Sequence, residues 1–130
     1  MIMLTKTNEL TGPALDWAVA KCEGDEVRYE GGCIRPALSQ FVDDDWYQPS
    51  TDWDQGGPII EREKIDVARG NDIYFPSGNE KGDFYEPLWV ASGKEIRQRI
   101  HGPTPLIAAM RCYVASKLGD IVDVPEELTK

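Results

Sequence analysis

The chain has 130 residues and a formal net charge of −9, with 41% hydrophobic and 28% charged residues. That length and balance suit one globular domain with its own core and exclude a globally disordered chain. The charge works against unaided binding to duplex phosphates or an anionic membrane surface. The basic residues are scattered, and the densest group is only Lys94, Arg97 and Arg99.

In chain order, residues 1–7 read as a short first strand. Leu10-Thr11-Gly12-Pro13 reads as a helix start, with Thr11 as the cap and Pro13 at an early position where a missing N–H has no partner. Leu15, Ala18, Val19 and Cys22 follow at helical spacing, and Gly24 is a natural terminator, which predicts a helix over 12–23. Glu26 to Tyr29 alternates like a strand and Gly31-Gly32 breaks it. Residues 33–42 carry no clear period. Asp43 through Gly57 is a long polar stretch holding Trp46, Tyr47 and Trp53, and it reads as a loop. Loops of that length inside a domain are uncommon and often functional.

Pro58 then opens a run of helix formers, so a short helix is expected over 58–64 with the proline in its first turn. Ile65 to Ala68 reads as a strand edge. Residues 69–83 read as an exposed loop anchored by Tyr74 and Phe75, Leu88 to Ala91 as a buried strand, and 94–101 as a further strand. The clearest element follows. Thr104 caps, Pro105 takes the first helical position, Leu106, Met110, Tyr113, Val114 and Leu118 recur at helical spacing, and Gly119 closes. Residues 120–130, with Pro125-Glu126-Glu127, read as a peripheral tail. The expected fold is α+β, with two main helices packed on a small, mostly antiparallel sheet and a long Trp-containing loop, all in a single domain over 1–130.

Cys22, Cys33 and Cys112 are widely spaced, no C-x-x-C pair occurs, and His101 is the only histidine, so no zinc site is expected. Cys22 and Cys112 lie within the helical patterns and read as core residues. Met1 to Leu4 is briefly apolar but carries no charged leader, which points away from a secretory signal, and no run approaches the ~20 apolar residues of a membrane span.

Three strings are long and irregular in composition: Glu9 to Lys21 (ELTGPALDWAVAK), Tyr47 to Glu61 (YQPSTDWDQGGPIIE), and Gly102 to Val124, which contains Pro-Leu-Ile-Ala-Ala-Met-Arg-Cys at 105–112. Together they resemble the NinX-like proteins of lambdoid and related phages, with residues 66–101 the least similar part. The resemblance implies a phage or prophage origin and expression in the bacterial host cytoplasm. It implies no established catalysis, so it brings no catalytic residues; no cofactor is expected.

The stretch from Trp46 to Arg62 is the first candidate site. Trp46 and Trp53 offer flat faces, Gln55 adds hydrogen-bonding capacity, Gly56 and Gly57 allow close approach at a helix start, and Arg62 offers a guanidinium. One reading is a pocket for a small anionic, nucleotide-like ligand. The abundance of Asp43, Asp44, Asp45, Asp52 and Asp54 weakens it, since each carboxylate repels a phosphate. Those same carboxylates lack the spacing of a calcium loop and read as a solvated acidic segment. His101 is the only imidazole base available and no nucleophile-elbow pattern accompanies it, so catalysis is not expected. The reading that needs the fewest special residues is recognition of a host or phage protein through an aromatic and acidic surface.

Overall fold

The computed structural model describes residues 2–30, 33–36, 47–70, 73–75, 84–86, 88–93 and 96–129. The elements are β1 (Ile2–Lys6), α1 (Gly12–Glu23), β2 (Val27–Glu30), β3 (Cys33–Pro36), α2 (Trp53–Glu63), β4 (Asp66–Arg69), β5 (Ile73–Phe75), β6 (Phe84–Glu86), β7 (Trp89–Gly93), β8 (Ile96–Gly102), α3 (Pro105–Leu118) and β9 (Ile121–Pro125). Every described strand pair is antiparallel. Among the described residues, the widest sheet has the order β4-β7-β8, and the others are two-stranded ribbons. The α+β class is therefore observed, with three α-helices among the described residues.

The helix α3 is the hub. Eight of its fourteen residues are buried, among them Leu106, Met110, Cys112, Tyr113 and Val114. A helix apolar on nearly all sides has to be enclosed. It packs against β4, β7 and β8 and also against α1 and α2. Its start follows the sequence rule closely, with Thr104 Oγ1 accepting from the Ile107 amide at 3.0 Å and Pro105 in the first turn. The end of β8 comes very close to it. A methyl group at Gly102 would lie 2.6 Å from the Ala108 backbone nitrogen, so only glycine fits there.

The helix α1 also begins and ends where its punctuation places it, closing on Gly24 at φ 76°. Thr11, however, forms no side-chain cap bond. Leu15, Ala18 and Val19 are fully enclosed as expected, and Cys22 is half-buried. Removing a Leu15-sized side chain from water contributes about 2 kcal/mol. Among the described residues, no helix is long and apolar enough to cross a membrane.

Three expectations need correction. First, the polar stretch before residue 58 is not all loop, because α2 starts at Trp53 and Pro58 sits inside it. Asp52 starts the helix by accepting from the Asp54 amide at 3.0 Å. Second, β7 is only half-buried apart from Ala91. Third, residues 120–130 are not peripheral. The strand β9 pairs with β1 across almost the full length of the chain, Lys6 opposite Ile121 through Ile2 opposite Pro125. Val122, Val124 and Leu128 belong to the core. Val124→Ala should therefore lower stability by about 2 kcal/mol in urea unfolding, an effect expected of a core position and absent from a tail.

Candidate functional site

Five of the six residues singled out in the sequence, Trp53, Gln55, Gly56, Gly57 and Arg62, fall on α2. Trp46 lies outside the described residues, as do Asp43 to Asp45. The helix is strongly amphipathic, with Gly56 and Ile59 turned to the core and Trp53, Asp54, Pro58 and Glu61 to solvent.

The chain arrives at α2 through a tight and well-bonded turn. The Thr51 and Asp52 amides both donate to Gln48 O, at 3.1 and 2.8 Å. Gln55 closes the turn from the helix side, its Oε1 accepting from the Gln48 amide at 2.9 Å and its Nε2 donating to Asp52 Oδ2 at 3.1 Å. Gln55 therefore holds the start of the helix in place. Pro49 and Ser50 are buried, and the Ser50 amide donates to Asp16 Oδ1 on α1 at 2.8 Å. Tyr47 packs on the core, and its amide donates to Ile34 O at 2.6 Å.

Asp16 is itself 5% exposed. Burial pushes its carboxyl up to about 6, outweighing the opposing pull of its hydrogen bonding with Ser50. Sequence reasoning missed this residue because an acid on a helix is assigned to solvent by default. The available signal was its position inside the run Ala14 to Ala20, where it interrupts an otherwise apolar face.

The two glycines differ sharply. A methyl at Gly56 would collide with Pro49 O and Leu106 Cδ1, so this glycine lets α2 pack against the turn and α3. A methyl at Gly57 meets nothing within 4 Å beyond its own chain neighbours. Trp53, in the first turn, is 55% exposed. Its backbone is helical and tied down by the Asp52 and Gln55 bonds, so its indole is presented from a fixed base.

At the other end of α2, Arg62 is engaged within the fold. Its Nη1 and Nη2 donate to the two oxygens of Glu23 at 3.0 and 2.8 Å, and its Nε donates to Glu63 Oε2 at 2.8 Å. Nη2 also reaches the Tyr113 hydroxyl at 3.2 Å, and that hydroxyl donates to Glu23 Oε2 at 2.8 Å. This cluster joins α1, α2 and α3. Its hydrogen bonds raise Arg62 further above its ordinary value and lower Glu63, so both stay charged. A bound anion would have to displace two carboxylates from this guanidinium.

Two other sequence candidates resolve simply. Burial holds the Cys22 and Cys112 thiols up at about 11, which keeps them protonated and poorly nucleophilic near neutral pH. His101 is exposed on β8, and its carbonyl accepts from Arg111 Nη1 at 3.0 Å. Among the described residues, no cluster of acidic, histidine or cysteine side chains is arranged to hold a metal ion.

A family model described as bacteriophage P22 NinX matches residues 6–117. That span takes in α1, α2 and all of α3 but its last residue, while the β1–β9 ribbon lies almost wholly outside it. No curated protein matches the chain.

Proposed function

The chain belongs to the bacteriophage P22 NinX family, and from that premise we propose that it is a phage accessory protein that binds another protein, of host or phage origin, through the solvent side of α2. The observation that carries this reading is the exposure of Trp53 on a helical turn fixed by Asp52 and Gln55. A large aromatic side chain left half in water at a rigid position is the residue type that most often anchors a protein interface. Asp54 and Glu61 extend the same exposed side with negative charge. The complementary surface is an apolar pocket for the indole, rimmed by lysine or arginine. The net charge of −9 steers such a partner toward the protein over long range.

The small-anion reading is less well supported. The Asp54 amide at the helix start already serves the Asp52 carboxylate, which also places a negative charge where the anion would sit. The Arg62 guanidinium is bonded to Glu23, Glu63 and Tyr113.

Trp53→Ala should leave thermal unfolding within about 0.5 kcal/mol of the parent, as expected for an exposed position. It should also weaken binding of the partner captured from infected cells by about 2 kcal/mol, roughly 30-fold. Capture of the same proteins in the same amounts by the parent and the variant would rule the α2 surface out.

A further inference from the structure

Beyond the α2 surface, the β1–β9 ribbon carries a second exposed apolar feature. Among the described residues, four large apolar side chains are exposed, and three of them, Met3 at 50%, Leu4 at 71% and Ile121 at 58%, lie on this ribbon. Among the described residues, β1 pairs with β9 alone, on one side.

The register shows which backbone groups face outward. The Thr7 amide donates to Asp120 O at 2.8 Å. Met3 opposite Val124 and Thr5 opposite Val122 are in phase with that bond, so the Met3, Thr5 and Thr7 amides face β9. The amides and carbonyls of Leu4 and Lys6 therefore point away from β9, to the open edge. A groove of about 420 Å3 runs beneath this edge, between β1 and the start of α1, with Met3, Leu4, Leu10, Pro13 and Leu128 among its walls. Natural edges are usually blunted by proline, by several charges or by a bulge. This one carries Lys6 alone.

We propose that the open edge of β1 takes up an extended, basic segment of a partner protein as an added antiparallel strand, whose alternate apolar side chains drop into the groove beneath Met3. Strand addition satisfies the outward Leu4 and Lys6 backbone groups, and the groove supplies side-chain selectivity at every second residue. Charge selects the occupant. Among the described residues, Glu9 is the only charged side chain lining the groove. Lys6 alternates to the face of β1 opposite Met3 and Thr5, and Arg111, although within electrostatic reach of Glu9, donates its hydrogen bonds to the Leu10 and His101 carbonyls, at 2.8 and 3.0 Å. A lysine or arginine on the incoming strand meets Glu9 directly. A second copy of this chain would bring another nine negative charges in place of a complementary basic segment.

The test uses the full chain, 15N-labelled, and three synthetic peptides of about eight residues. One alternates valine and threonine between terminal lysines, one carries glutamates in place of the lysines, and one is the lysine peptide N-methylated at alternate backbone amides. The lysine peptide should slow hydrogen exchange at the Leu4 and Lys6 amides while leaving Met3 and Thr5 unchanged. It should bind about ten-fold tighter than the glutamate peptide at low salt, a preference that Glu9→Gln reduces. The N-methylated peptide should not bind. Leu4→Pro removes an outward amide without removing a β1–β9 bond and should abolish binding. The N-methylated peptide makes the same test without altering the protein. Binding that survives N-methylation, or an absence of protection at Leu4 and Lys6 with the lysine peptide, overturns the proposal. So does protection of those amides in the free protein together with a dimer in sedimentation, which would identify the occupant as a second copy.

Discussion

Gly56→Ala should lower stability by about 2 kcal/mol in urea unfolding, and Gly57→Ala, one position on, should change it by no more than about 1 kcal/mol, its gain in helix preference set against the clash of a new Cβ with the Pro58 ring. Both substitutions replace glycine by alanine within α2, so both gain the same intrinsic helix preference. They differ in what the added methyl meets. At position 56 it collides with Pro49 O and Leu106 Cδ1, and the first of these is backbone in a turn held by Gln48, Gln55 and Asp16. Relief requires α2 to move away from α3, opening contacts around Ile59 and Leu106. At position 57 the methyl meets only its chain neighbour, the Pro58 ring. Equal shifts at the two positions would mean that α2 does not pack as described. The pair also separates two roles that look identical in sequence. Gly56 serves packing, whereas Gly57 lies beside the exposed Trp53 surface, where an added methyl should alter binding more than stability.

The contrast between α1, α3 and α2 shows where local sequence is sufficient. For α1 and α3, a proline in the first turn and a glycine at the end coincide with the apolar period, and the observed limits match those signals residue for residue. In α2 the same proline rule misleads. Pro58 is the sixth helical residue, and the real start is Asp52, one acid among several in a run that reads as loop. The helix tolerates this proline in part because the preceding residue is Gly57, which has no Cβ to clash with the ring. The strand β9 was legible in part, since Val122 and Val124 alternate with Ile121 and Asp123. What identifies it as core is β1, more than a hundred residues away, and no local pattern carries that pairing. The same holds at the candidate site. The exposure of Trp53 agrees with its polar surroundings, but the engagement of Arg62 depends on Glu23 and Tyr113, contributed by two other helices.

Asp16→Asn should abolish a pH dependence that the parent protein carries between about pH 4 and pH 6. In an unfolded chain an aspartate titrates near 3.9. In the folded protein, burial raises Asp16 to about 6, so the native state holds this proton more tightly than the unfolded one. The favourable contribution is thus fully present below about pH 4 and is lost as pH rises through about 6, a total of about 3 kcal/mol. Above that range the native state carries a buried carboxylate held, among the described residues, by Ser50. Asparagine keeps an oxygen to accept from the Ser50 amide and removes the charge. The variant should therefore match the parent near pH 4 and exceed it by about 1–3 kcal/mol at pH 7.5, the lower end applying if loss of the charge-assisted bond offsets part of the gain. Asp16→Ala should be less stable than Asp16→Asn at every pH, because it leaves a buried amide without an acceptor. Subtracting the asparagine curve from the parent curve cancels the other carboxylates of this acidic chain, so the difference isolates one group. Two parallel curves would show that Asp16 titrates normally in the native state, and the turn leading into Trp53 would then be held by an ordinary surface hydrogen bond.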